Sequence, residues 1–261
     1  MIIQHDIHVH TYISSCGKPT ADPNKYIELA IQSGFHTLGF ADHLWDSDVP
    51  GASPWYAPQN MEHLNQIRGI VGHRDDIRIL FGCETEYAGG RIAITREHAQ
   101  ALDYVLVPIS HLHMKDFVRP AWCVKPKDLA ELMVKRFNEV VVQDIATGIP
   151  HPFVPCGFSD NSTEILSYIS NDAFDECFGL AKEHNVSIEI HPEMYTHIKT
   201  GEYVDCYCRM MERARGQGCC FHFGSDAHDI PTLRVTDYTK RFLAECGFRE
   251  QELLPLVRAE A

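Results

Sequence analysis

The chain has 261 residues, a formal net charge of −13, 44% hydrophobic and 23% charged residues, a composition that suits a globular protein with a substantial buried core. No apolar run approaches the roughly 20 residues a membrane span needs, and the start, MIIQHDIHVH, lacks the basic region and apolar core of a signal peptide. The acidic balance has the wrong sign for wrapping a long nucleic-acid backbone, so one cytoplasmic domain over residues 1–261 is expected, with no membrane partner.

The apolar segment 2–9 is a predicted strand that runs into His8 and His10. Two residues apart, these side chains face the same way. Asp22 as N-cap, Pro23 at the first helical position and Gly34 as stop predict a helix between them. A strand over 36–41 leads into Asp42 and His43, and after a helix at 59–72 a strand over 77–83 leads into Glu84 and Glu86. Next come a helix at 95–101 and a strand at 103–109 followed by His111 and His113. A long helix at 127–147 precedes a strand at 152–158, which places His151 at that strand's beginning. The remaining elements are a helix at 172–184, a strand at 186–191 ending in Glu189 and His191, a helix at 203–217, a strand at 219–225 followed by Asp226 and His228, and a helix at 237–246.

Strand–helix alternation repeated about seven times implies a parallel α/β sheet closed into a barrel, with an open doubly wound sheet as the alternative. In a barrel all C-terminal strand ends meet at one rim. Most of the His, Asp and Glu pairs fall there, and burying that many ionisable groups without ions would be costly. The 16 histidines and 36 acidic residues are a metal-ligand inventory. The ten cysteines form no paired CxxC units and read as buried small residues of a reduced protein. A carboxylate such as Glu84 or Asp226 is placed to bridge two divalent ions.

HxH at the start, ADH after the second strand, GCE after the third, a His after the fourth and SDAH near the end resemble the PHP (polymerase and histidinol phosphatase) superfamily, in family order and over the whole chain. The resemblance implies a distorted (β/α)7 TIM-like barrel, two or three divalent ions (zinc, manganese or iron) at the C-terminal strand ends, and phosphoester hydrolysis. It implies His8, His10, Glu84 and Asp226 on one ion, Glu84 and His111 on a second, and His43 and His228 on a third. Two positions depart from the pattern. Cys16 stands where histidinol-phosphatase-like members carry a further His, and a thiolate can also bind zinc. The expected fifth-strand His is matched only by His151, on this placement at the opposite rim. His111 fits the fourth-strand register better than His113, although a slip of one residue exchanges them. His191 is a further candidate for metal or substrate contact, and Glu189 for a supporting role.

The expected reaction is hydrolysis of a small phosphomonoester, histidinol phosphate being a candidate, by a water held between two ions and lowered in pKa. Asp226, His43 and His228 are the candidate catalytic residues, the last two as proton sources for the leaving alkoxide. Lys18, Lys115, Arg119 and Lys199 are candidate phosphate-binding cations, and Trp45, Trp55 and Tyr56 a candidate aromatic lid. The polar loops 44–58 and 111–126 should lie over the site. An amidohydrolase-like hydrolase and a non-catalytic metal-binding protein are the alternatives. Whether the chain forms a homo-oligomer is left open.

Overall fold

A computed structural model describes residues 3–191, 201–230 and 247–259; the helix expected at 237–246 and Lys199 lie outside these. In chain order the strands are β1 (His5–Val9), β2 (Thr37–Phe40), β3 (His43–Leu44), β4 (Arg78–Phe81), β5 (Cys83–Thr85), β6 (Tyr87–Ala88), β7 (Arg91–Ile92), β8 (Val105–Leu106), β9 (Gly148–Ile149), β10 (Ser187–Ile190) and β11 (Phe221–Phe223). The α-helices are α1 (Pro23–Gln32), α2 (Met61–Val71), α3 (Arg96–Gln100), α4 (Pro126–Val141), α5 (Ser162–Ser167), α6 (Asn171–Glu183) and α7 (Gly201–Gly216). None is long and apolar enough to cross a membrane among the described residues.

Two parallel ladders carry the fold, β1–β2–β4 and β3–β5–β8–β9–β10–β11. They are joined by the chain itself. β2 resumes as β3 after two residues, and β4 resumes as β5 after Gly82, where a Cβ would run into the ring of Tyr104. The last strand returns to the first: Val9 bridges to Ala227, His10 N–H donates to Ala227 O at 2.9 Å and Phe223 N–H donates to His5 Nε2 at 2.9 Å. The result is an α/β fold of parallel ladders whose last strand returns to the first, consistent with the TIM-like barrel expected. His5 is thereby accounted for as a structural residue. Its ring must be neutral to accept that bond, and burial, helped by His222, lowers its pKa to about 3.

The helices form where local signals and packing agree. Asp22 caps α1 by accepting from Asn24 N and Lys25 N, and Pro23, Tyr26, Ile27 and Ala30 bury its inner face. On α4, Leu129, Met133, Phe137 and Val140 form the apolar stripe, with Arg136 buried among them.

The fifth strand corrects the sequence expectation. No strand covers 152–158; α4 ends at Val141 and the strand is the two-residue β9 at Gly148–Ile149. Pro152 and Pro155 lack the N–H groups a central strand must donate. His151 therefore follows the strand instead of preceding it, and stands at the same rim as the other candidates.

Candidate metal centre

β1 delivers His8 and, just past its end, His10; β3 begins with His43; β5 carries Glu84. Ser110 and His111 follow β8, His151 follows β9, and Asp226 and His228 follow β11. His151 and Asp226 hold left-handed backbone, φ 30° and 54°, a conformation Asp tolerates better than most residues and one that concentrates at functional sites. His8, His10, Glu84 and His151 are buried.

The ligand atoms converge. His8 Nε2 lies 3.6 Å from Glu84 Oε2 and 3.4 Å from Asp226 Oδ1. His10 Nε2 lies 3.4 Å and 3.2 Å from the same two oxygens, and the two Nε2 atoms are 3.1 Å apart. Donors with bonds of about 2.1 Å to a common ion stand about 3.4 Å apart in a tetrahedron, so these four atoms have the spacing of one coordination shell. The other oxygen of Glu84, Oε1, faces His111 Nε2 at 3.5 Å and His151 Nε2 at 3.0 Å. Glu84 thus joins two groupings, and His10, Cys16, His43 and His228 form a third, the candidate ligand atoms within each lying within 4.8 Å of one another.

Several rings are braced from behind. His8 Nδ1 meets Glu189 Oε2 at 2.7 Å, His111 Nδ1 meets Glu86 Oε2 at 2.8 Å, His151 Nδ1 meets Ser110 Oγ at 2.7 Å and His228 Nδ1 meets Asp226 O at 2.7 Å. Tying up Nδ1 fixes the tautomer and leaves the Nε2 lone pair for the centre, as metal-ligating histidines require. Glu86 is itself held by the buried Arg136, whose Nη2 donates to Oε1 at 3.1 Å, and by Tyr56 OH at 3.4 Å. Gly224 makes the support beneath His8 possible, since a Cβ there would run into Glu189 Oε2 and His8 Cβ.

The electrostatics ask for positive charge. Among the described residues, Glu84, Asp226 and Glu189 have only imidazoles as ion-pair partners. Burial opposes protonation of His10, but Asp226 and Glu84 overcome it and push its pKa up to about 9. Burial opposes His8 likewise, and Glu189, Asp226 and Glu84 raise it well above the usual range. Glu84 and Asp226 are held below the usual carboxylate range by the surrounding histidines, against the effect of burial. His43, by contrast, is driven well below 6.5 by burial. Two polar atoms of the centre, His43 Nδ1 and Asp226 Oδ1, are buried without a hydrogen-bond partner. Divalent cations would satisfy both orphans and all the carboxylates, so the residues fit such ions.

The centre forms the floor of a cavity of about 640 Å³, whose wall includes Trp55, Met114, Lys115 and Phe117. Of the expected aromatic lid only Trp55 takes part. Trp45 and Tyr56 are 2% and 0% exposed, Trp45 Nε1 donating to Val49 O while Tyr56 supports Glu86. Of the candidate cations Lys115 lines the cavity. Arg119 is buried, its guanidinium donating to Leu112 O and Cys123 O, and Lys18 pairs with Asp229. His113 is exposed on the wall, so the register selects His111 for the centre. His191 belongs to none of the three groupings; its Nδ1 lies 3.2 Å from Glu189 Oε1 and 3.3 Å from Gly224 O. A further acidic grouping, Asp46, Asp48 and His98, is committed to structure, Asp46 accepting from Thr95 N, Thr95 Oγ1 and His98 Nδ1 at the start of α3.

Sequence reasoning missed Ser110, Arg136, Met114 and Phe117. Arg136 left a signal, since a guanidinium on the apolar stripe of an amphipathic helix needs a buried acid, and Glu86 is that acid; Met114 and Phe117 belong to the loop 111–126 expected over the site.

The chain is 23% identical over 245 residues to a probable phosphatase of Clostridium acetobutylicum, covering 91% of this chain and 84% of that one. It is 24% identical over 255 residues to a probable phosphatase of Enterobacter sp., covering 95% and 88%. The crystal structure of histidinol phosphate phosphatase from Lactococcus lactis, complexed with zinc, L-histidinol and phosphate, superimposes with a TM-score of 0.62 at 14% identity over 94% of each chain. A model of the PHP domain matches residues 6–193, with Asp226 and His228 contributed from beyond the matched region, and the chain belongs to the PHP domain family.

Proposed function

We propose that this protein is a metal-dependent phosphomonoesterase acting on a small ester. The observation that carries the reading is the convergence of two imidazole nitrogens and two carboxylate oxygens at 3.1–3.6 Å on the floor of a cavity walled by apolar side chains. His8, His10, Glu84 and Asp226 would hold one ion, Glu84, His111 and His151 a second, and His43 and His228, with Cys16 beside them, a third. Divalent ions there would supply Lewis acidity toward the phosphoryl oxygens and lower the pKa of a water.

The protein's own groups do the rest. Glu189, Glu86 and Ser110 keep protons on Nδ1 of His8, His111 and His151, so that their Nε2 atoms stay aimed. Burial, aided by His10, lowers the pKa of His228, and that of His43 is lowered further, which suits both to offering lone pairs. Lys115 at the wall places positive charge near an incoming phosphate dianion. Trp55, Met114 and Phe117 shield the reacting group from water and suit an alcohol portion with a flat or apolar surface. Histidinol phosphate is a candidate on size and on the structural neighbour's contents. The enclosed floor and the net charge of −13 disfavour long nucleic acid.

Protein stripped of metal and reloaded separately with Mn²⁺, Zn²⁺ or Fe²⁺ tests this on p-nitrophenyl phosphate and histidinol phosphate. Turnover that chelator abolishes is expected. Full metal occupancy without phosphate release from any monoester would overturn the reading.

A further inference from the structure

The loop 11–18 is built as a holder for one side chain. Asp42, buried at the end of the second strand, accepts from Thr11 N at 2.7 Å, Thr11 Oγ1 at 2.9 Å and Ser14 Oγ at 2.7 Å. Ser14 Oγ in turn accepts from His43 N–H at 2.9 Å, and Ser15 N–H donates to Gln59 Oε1 at 2.9 Å. On its far side the loop is tied to the last strand, Lys18 N–H donating to His228 O at 3.1 Å. Thus the backbones of His43 and His228 are each bonded directly to the loop that carries Cys16.

The side chains these bonds bring together have unspent ligand capacity. Cys16 is a free thiol on the cavity floor. His43, 7% exposed, has a buried Nδ1 that makes no hydrogen bond and lies 3.3 Å from Glu84 Oε2. His228 spends Nδ1 on Asp226 O and lines the same cavity. The ligand atoms of all three, together with one of His10, fall within 4.8 Å of one another.

We propose that Cys16, His43 and His228 form a thiolate-bearing site for one soft divalent ion, zinc or ferrous iron in preference to manganese or magnesium. Its sulfur donor sets it apart from the nitrogen–oxygen sites around Glu84 that it adjoins through His10 and His43, and it rests on the metal centre proposed above. Thiolate sulfur favours zinc and iron, whereas carboxylate-rich donor sets suit the harder ions. With three protein ligands, a four-coordinate ion held there would keep one position for water or substrate. Ion entry releases the thiol proton to solvent as the sulfur–metal bond forms.

Cobalt(II) reports thiolate ligation directly, through a sulfur-to-metal charge-transfer band in the near ultraviolet, and bound ions are counted by elemental analysis. Wild-type protein loaded with cobalt should show the band, and Cys16→Ser should lose it together with one tightly held zinc per chain. Cys156→Ser, which removes the other thiol lining the cavity, should keep both. Cys16→His should restore the lost ion without the band and let manganese reach the same occupancy as zinc. Absence of the band in fully loaded wild-type protein overturns the proposal irrespective of how any variant folds. So does an unchanged band and zinc count in Cys16→Ser. Neither readout involves a phosphate ester: a protein with the band and no phosphatase activity keeps this site and loses the proposed reaction, and an active protein without the band does the reverse.

Discussion

Around Glu84, the rings of His8, His111 and His151 lean on Glu189, Glu86 and Ser110, all buried. Beside Cys16, His228 leans on a backbone carbonyl and His43 Nδ1 makes no hydrogen bond, lying 3.3 Å from Glu84 Oε2. In the inner half each of these three rings is braced by a partner that makes further hydrogen bonds of its own. The outer half takes its order from a loop and leaves coordination capacity toward substrate. Such a division suits a centre whose inner ions are retained and whose outer ion meets the reacting molecule.

The contrast can be broken at graded depths. The largest effect is expected from Asp226→Ala, which removes a shared anionic donor from the inner half. Turnover should fall to the chelated background with circular dichroism unchanged, and wild-type activity would contradict the assignment. Glu86→Gln should come next. It weakens the hold on His111, and inner-half metal affinity should drop by about 10–100-fold, measured by competition with a chromophoric chelator. Gly224→Ala forces a methyl against Glu189 and His8, and overpacking of this kind costs about 1–3 kcal/mol. Denaturant unfolding measures that loss, and unaltered stability would show that Glu189 can move aside. The smallest effect belongs to the outer wall. Trp55→Ala should raise KM by about 3–10-fold for a ring-bearing ester, the value of roughly a kilocalorie of aromatic contact, with kcat little changed. A comparable fall in kcat would instead implicate Trp55 in organising the outer half.

How much of this was legible in the sequence depended on element length. β1, β10 and β11 were readable because apolar runs with strand-end ligands announce themselves, and Glu84, Asp226 and the HxH pair followed directly. β9 was not, because two paired residues carry no periodic signal; the helix before it was extended into 142–147, where the left-handed Asp144 has already ended it. That error put His151 at the wrong rim. Loop aromatics were ambiguous for a different reason. Trp45, Trp55 and Tyr56 look alike in sequence, and only tertiary packing separates the one that lines the cavity from the two that are buried. Asp42 stood out only as a polar residue after the strand over 36–41, yet it anchors the loop bearing Cys16, a contact across 31 residues to Thr11 that no local pattern encodes.

Glu84 gives one oxygen to the His8–His10 side and the other to the His111–His151 side. An ion on either side would fix this carboxylate for both, so much of the ordering cost of the second occupancy falls on the first. Metal titration of the inner half should therefore be cooperative. When metal is scarce, the population would divide into empty and doubly filled molecules with few half-loaded ones, and activity would switch on over a narrow interval of free metal concentration.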